Sequence, residues 1–170
     1  MMNNREVVLD VLRKAYQIEV DGYTFYSMTA ERAEKPAVQE LFTKLAEDEV
    51  QHQAFLRTVA GNFDAKGVEA FKLNLRSPEL RAINQAVFTA KFREQAAGAE
   101  FELGVLSIGM TLETNAIKYF STAAGNASEK EVKEFYQFLA DWEKQHLEAL
   151  RTLYNSVRQD FFAAGSFSPF

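Results

Sequence analysis

The tetrapeptide Glu49-Val50-Gln51-His52 returns 94 residues later as Glu143-Lys144-Gln145-His146, and the two copies hold the only histidines of the chain. Residues three apart on a helix share a face, so each copy presents a carboxylate and an imidazole side by side. The duplication runs well beyond the tetrapeptide. Glu19 stands 30 residues before Glu49, and Glu113 stands 30 before Glu143. Between 19–58 and 113–152, 14 of 40 positions are identical, among them Ser27/Ser121, Ala30/Ala124, Val38/Val132 and Leu56-Arg57-Thr58/Leu150-Arg151-Thr152. The chain contains one helical hairpin written twice.

Two such hairpins make an all-α four-helix bundle, and the spacing within each predicts what meets inside it. Asn3 or Asn4 caps the first helix, where Val7, Val8, Val11, Leu12, Ala15, Ile18, Gly22, Phe25, Tyr26 and Thr29 recur at helical spacing and Glu19 lies on the same inward stripe. Pro36 ends that helix and opens the second, which carries Val38, Leu41, Phe42, Leu45, Glu49, His52 and Leu56 in phase. The turn falls midway between Glu19 and Glu49. Each arm of roughly 15 residues spans about 23 Å, so an antiparallel hairpin sets the two Glu opposite each other.

The boundaries follow. Hairpin one covers about 4–60 and hairpin two about 98–160, with a tail over 161–170. The crossover at about 61–97 has no counterpart in the repeat: Gly61-Asn62-Phe63-Asp64 and Lys66-Gly67 read as loop, and Ser77-Pro78 opens a short helix over 78–95. Helix three begins near Gly98-Ala99, passes Glu113 and closes at Gly125-Asn126. Ser128-Glu129-Lys130-Glu131 then forms a capping box for helix four. The Phe-rich tail is expected to fold back on the bundle or onto a dimer mate.

Composition narrows the chemistry. At 170 residues the chain fits one domain, 1–170, with a sizeable core. The absence of Cys excludes disulfides, zinc fingers, thiolate iron sites and cysteine nucleophiles. A net charge of −5 argues against a general nucleic-acid binder. No signal peptide and no apolar run of about 18 residues is read, so a cytoplasmic location is expected.

The bundle gathers Glu19, Glu49, Glu113 and Glu143 with His52 and His146. Four carboxylates balance two divalent cations, with one neutral imidazole for each. Oxygen-rich ligation with a single nitrogen per metal suits iron or manganese rather than structural zinc. The count predicts two divalent ions, iron or manganese. Without metal, like charges in an apolar interior would force some carboxylates to keep protons.

The segments Leu45-Ala46-Glu47-Asp48-Glu49-Val50-Gln51-His52 and Leu139-Ala140-Asp141-Trp142-Glu143-Lys144-Gln145-His146 resemble the Glu-x-x-His helices of rubrerythrin-like, ferritin-like di-iron carboxylate proteins. The resemblance covers about 5–58 and 99–152. It implies a ferritin-like bundle with a non-haem di-iron centre, Glu49 and Glu143 bridging, Glu19 and Glu113 terminal. Tyr26 resembles the family tyrosine that hydrogen-bonds a ligand carboxylate; its repeat counterpart is Phe120. Trp142, about 100° around the helix from Glu143, reads as a packing residue. Two departures stand out. With no Cys there is no rubredoxin module, and Ala116 stands where the family usually carries a further Glu (Gly22 in the other half).

The function this implies is a di-iron oxidoreductase that reduces hydrogen peroxide or dioxygen with electrons from a separate donor protein, in a homodimer. The alternatives are a ferroxidase or iron-handling protein, favoured by the Ala116 vacancy, and a di-iron monooxygenase of an organic substrate. The last would require an apolar tunnel to the metals.

Overall fold

A computed structural model describes residues 4–34, 36–74 and 100–164. Those residues form α1 (Asn4–Arg32), α2 (Pro36–Lys66), a short α3 (Glu69–Asn74), α4 (Glu100–Asn126) and α5 (Lys130–Ala164). Among them there is no strand. The helix α1 packs along α2, and α4 along α5, as the repeated hairpins require; α1 also meets α4, and α3 lies against α2 and α5. This is the all-α, four-helix architecture expected of a ferritin-like chain.

The core is split in two. At one end Val8, Leu12, Leu56, Phe63, Phe120, Phe135 and Leu139 form one apolar cluster. At the other, Tyr26, Leu41, Phe42, Leu45, Leu106, Leu150 and Leu153 form a second. Each long helix gives residues to both clusters and carries its Glu between them. The heptad-like spacing that makes the helices amphipathic therefore drives one polar layer into the middle of an apolar bundle. That layer is held by oily walls above and below.

Several boundaries differ from the sequence reading. The helix α2 does not stop at 60 but runs through Gly61-Asn62-Phe63-Asp64 to Lys66. Val59 and Phe63 are buried in the first cluster, and their burial outweighs the roughly 1 kcal/mol that a helical glycine costs. Gly67 supplies the stop, with φ of 59° and its amide bonded to the Phe63 carbonyl at 2.9 Å. The short α3 that follows seals one end of the bundle with Phe71, whose ring lies 4.7 Å from that of Phe135. The predicted helix over 78–95 and the predicted start at Gly98-Ala99 lie outside the described residues.

Hairpin two also shifts. The helix α5 begins at Lys130, and Glu131, expected to reach back to Ser128, instead bonds its own amide and Lys72, which hold its carboxyl below the usual range. At the far end α5 continues through Phe161 and Phe162 to Ala164, so the first residues of the expected tail are helical. Residues 165–170 lie outside the described ones.

Candidate metal centre

All six carboxylate and imidazole groups singled out in the sequence meet in the polar layer, and all are buried: Glu19, Glu49, His52, Glu113, Glu143 and His146 each expose 4 % or less. One donor atom from each of Glu49, His52, Glu143 and His146 falls within 4.8 Å of the others. Each hairpin thus brings its Glu-x-x-His pair to the same point from an opposite side. Around them, His52 Nδ1 lies 2.9 Å from Glu19 Oε2 and 3.2 Å from Glu49 Oε2. His146 Nδ1 lies 3.4 Å from Glu49 Oε1, 3.5 Å from Glu113 Oε1 and 3.8 Å from Glu143 Oε2.

The donor set fits divalent metal. Glu19 Oε1, Glu49 Oε2, His52 Nε2, Glu143 Oε1 and His146 Nδ1 are buried without a hydrogen-bond partner. An orphaned buried polar atom costs about 1–3 kcal/mol, and five in one layer call for a cation between them. The electrostatics say the same. Burial, and then the charge of Glu49, pushes Glu19 up to about 8. Burial and the neighbouring Glu19, Glu113 and Glu49 carboxylates raise Glu143 well above the usual range. Burial opposes charge on His146, but Glu113 and Glu49 outweigh it and drive the imidazole upward. Burial would likewise raise Glu113, yet His146, Glu143 and Tyr26 together hold it below the ordinary carboxylate value. Without a cation, Glu19, Glu143 and His146 would tend to keep their protons.

Tyr26 donates its phenol proton to Glu113 Oε1 on the opposite hairpin, as the resemblance anticipates of a tyrosine beside a ligand carboxylate. Burial, followed by the charge of Glu113, raises the phenol well above its ordinary pKa, so it remains a donor. Gly22 serves Glu49: a Cβ there would stand 2.9 Å from Glu49 Oε1. Gln51 and Gln145 are exposed, on other faces of their helices.

Three supporting residues escaped sequence reasoning. Gln53 donates to the Glu19 carbonyl at 3.2 Å. Trp142 is buried, as a packing residue should be, but its indole stacks on the His52 ring with centroids 4.1 Å apart. Its repeat counterpart Asp48 brings Oδ2 to 4.0 Å from His146 Nε2. The signal available was the 94-residue offset itself, which pairs Asp48 with Trp142 immediately before the two Glu.

Between α1 and α4 a pocket of about 290 Å³ reaches this layer, with Glu49, Glu113 and Glu143 in its wall. Among the described residues no helix is long and apolar enough to cross a membrane.

No curated protein and no solved structure matches the chain. The family model described as Rubrerythrin matches residues 10–154, both Glu-x-x-His segments included. With a duplicated hairpin, a split helical core and a buried Glu/His layer inside that span, the chain belongs to the rubrerythrin family.

Proposed function

We propose that the chain is a di-iron oxidoreductase that reduces hydrogen peroxide or dioxygen with electrons from a separate donor protein. The observation that carries this is the convergence of two Glu-x-x-His pairs within 4.8 Å inside an apolar bundle. Glu49 and His52 from one hairpin and Glu143 and His146 from the other would hold two iron ions, or two manganese. Glu19 and Glu113 complete a six-residue set. When bound, the metal pair supplies two electrons to an O–O bond at one place.

The protein's own residues do the rest. Four carboxylates would cancel the charge of two dications, so the loaded centre would be neutral within the bundle. Tyr26 anchors Glu113 in one orientation, and the amide of Gln53 fixes the backbone of α1 at Glu19. The Gly22 side leaves Glu49 free of steric contact from a Cβ, so its carboxylate has room to shift as charge changes. Apolar clusters on both sides keep bulk water off the layer. The α1–α4 pocket is the way in for a small oxidant.

A second reading takes Fe(II) itself as the substrate, and Ala116 favours it: the position that would carry a further Glu holds a methyl group. Anaerobic loading with Fe(II), then stopped-flow mixing with peroxide and separately with oxygen, tests both. The reductase reading predicts oxidation of two Fe per chain, followed by full re-reduction by a one-electron protein donor over repeated cycles. Steady consumption of excess Fe(II) with oxygen, and no cycling with a donor, would leave the iron-handling reading instead.

A further inference from the structure

The pocket between α1 and α4 is larger than the oxidant needs. At about 290 Å³ it has room for roughly ten waters at about 30 Å³ each, and it is nearly twice the about 150 Å³ of an apolar cavity that takes up benzene. Ile18 and Gly22 form one side, Leu112, Ala116 and Tyr119 the other, and the floor is Glu49, Glu113 and Glu143. The polar residues Lys14, Asp21 and Asn115 also line it but are exposed, which puts them at the mouth. The side walls of Ile18, Leu112 and Ala116 offer water few partners, so water lying against them gives way readily to an apolar molecule.

The space has a definite origin. Ala116 is buried and faces the pocket beside Glu113, and a longer side chain there would fill the inner end. Gly22 removes a second side chain from the opposite wall. The mouth carries one cation and one anion, and four carboxylates against two dications leave the layer beneath neutral. With the metal pair bound, nothing else inside selects for an ion.

We infer that the α1–α4 pocket binds a small, uncharged, largely apolar organic molecule, up to the size of a substituted single ring, against the Glu49–Glu113–Glu143 floor. This rests on the metal-centre reading for the neutrality of the floor that the ligand lies against. It gives the site an organic partner in addition to its oxidant.

Fluorobenzene is a suitable probe, followed by ¹⁹F NMR with the protein loaded with Zn(II) and, in parallel, with Mn(II). One probe should bind per chain, and its relaxation should be much faster in the Mn(II) protein because the pocket opens on the centre. Ala116→Leu, which fills the inner end, and Leu112→Phe, which narrows the pocket from a half-buried position, should each weaken binding at least tenfold. If Ala116→Leu does not fold, Leu112→Phe decides. Absence of saturable binding to the loaded wild type, or equal binding by wild type and both variants, would overturn the inference. Metal content is measured on the same samples. A chain that binds fluorobenzene but holds no metal refutes the metal reading and supports the pocket, whereas a fully loaded chain that binds none refutes the pocket alone.

Discussion

The indole of Trp142 lies flat on the imidazole of His52, 4.1 Å between centroids and 9° from parallel, while Asp48, 94 residues earlier, faces His146 from the equivalent place. The residue before each repeated Glu therefore leans on the other hairpin's histidine. The two-fold relationship survives in geometry but not in chemistry. One ring is covered by an apolar plate, which also contacts Phe55 and Phe138, and the other faces a carboxylate 4.0 Å away. Supports of this kind fix ligand orientation as much as the ligands themselves do.

Removing the plate should be costly. Trp142→Ala leaves a void beside His52 and should destabilise the fold by about 3–5 kcal/mol, the usual range for a buried aromatic cut to Ala. Trp142→Phe keeps a ring on the imidazole and should lose no more than about half of that, with metal content unchanged. Guanidinium unfolding and elemental analysis of the two variants check this.

The glycines separate site from scaffold. Gly22→Ala brings a Cβ to 2.9 Å from Glu49 Oε1, so Glu49 must move and metal occupancy should fall. Gly61→Ala and Gly104→Ala meet nothing within 4 Å and lie in exposed helix. Each should gain about 0.5–1 kcal/mol from helix propensity. Thermal melts alongside metal analysis distinguish the two classes.

The metal-free protein should become less stable as pH rises. Glu19 titrates near 8 when folded against 4.5 as its ordinary value. Between those limits the folded state holds a proton that the unfolded chain has released, so stability falls with rising pH across that window. Glu143 and His146, also raised, act in the same direction. Glu113, lowered, acts oppositely and only on the acid side of 4.5. Metal replaces those protons, so the gap in Tm between loaded and metal-free protein should widen from pH 5 to pH 8. A gap that narrows would mean that the carboxylates are not held protonated.

Faces of one helix should behave differently. His52→Ala and His146→Ala should each lower bound metal by at least half and slow the reaction with peroxide, whereas Gln51→Ala and Gln145→Ala, exposed on the same helices, should change neither. Comparable losses from Gln and His would contradict the assignment of faces.

Much of this arrangement is written in the chain. The 94-residue offset, the equal 30-residue steps and the Pro36 break suffice to pair the hairpins and to bring Glu19 to Glu49 and Glu113 to Glu143, because helical rise fixes what stands opposite what. Tyr26 was within reach for the same reason, seven residues along the stripe from Glu19. The residues that sequence hid are those whose role depends on contact between hairpins. Periodicity describes one helix at a time, so it places Trp142 beside Glu143 but cannot show His52 beneath its ring. The extension of α2 past Gly61-Asn62 was hidden likewise, since its cause is the burial of Phe63 against Phe71, a tertiary contact that outweighs a local loop signal.

Everything proposed for this chain depends on Glu19, Glu49, His52, Glu113, Glu143 and His146 holding a pair of metal ions. Anaerobic titration of metal-free protein with Fe(II), followed by isothermal calorimetry and elemental analysis of the gel-filtered product, measures this directly. The wild-type chain should take up two iron ions and release one or more protons at neutral pH, and both should be lost in a Glu49→Gln, Glu143→Gln double variant that still folds. A wild-type chain that retains no iron, or a double variant that retains two, would contradict it.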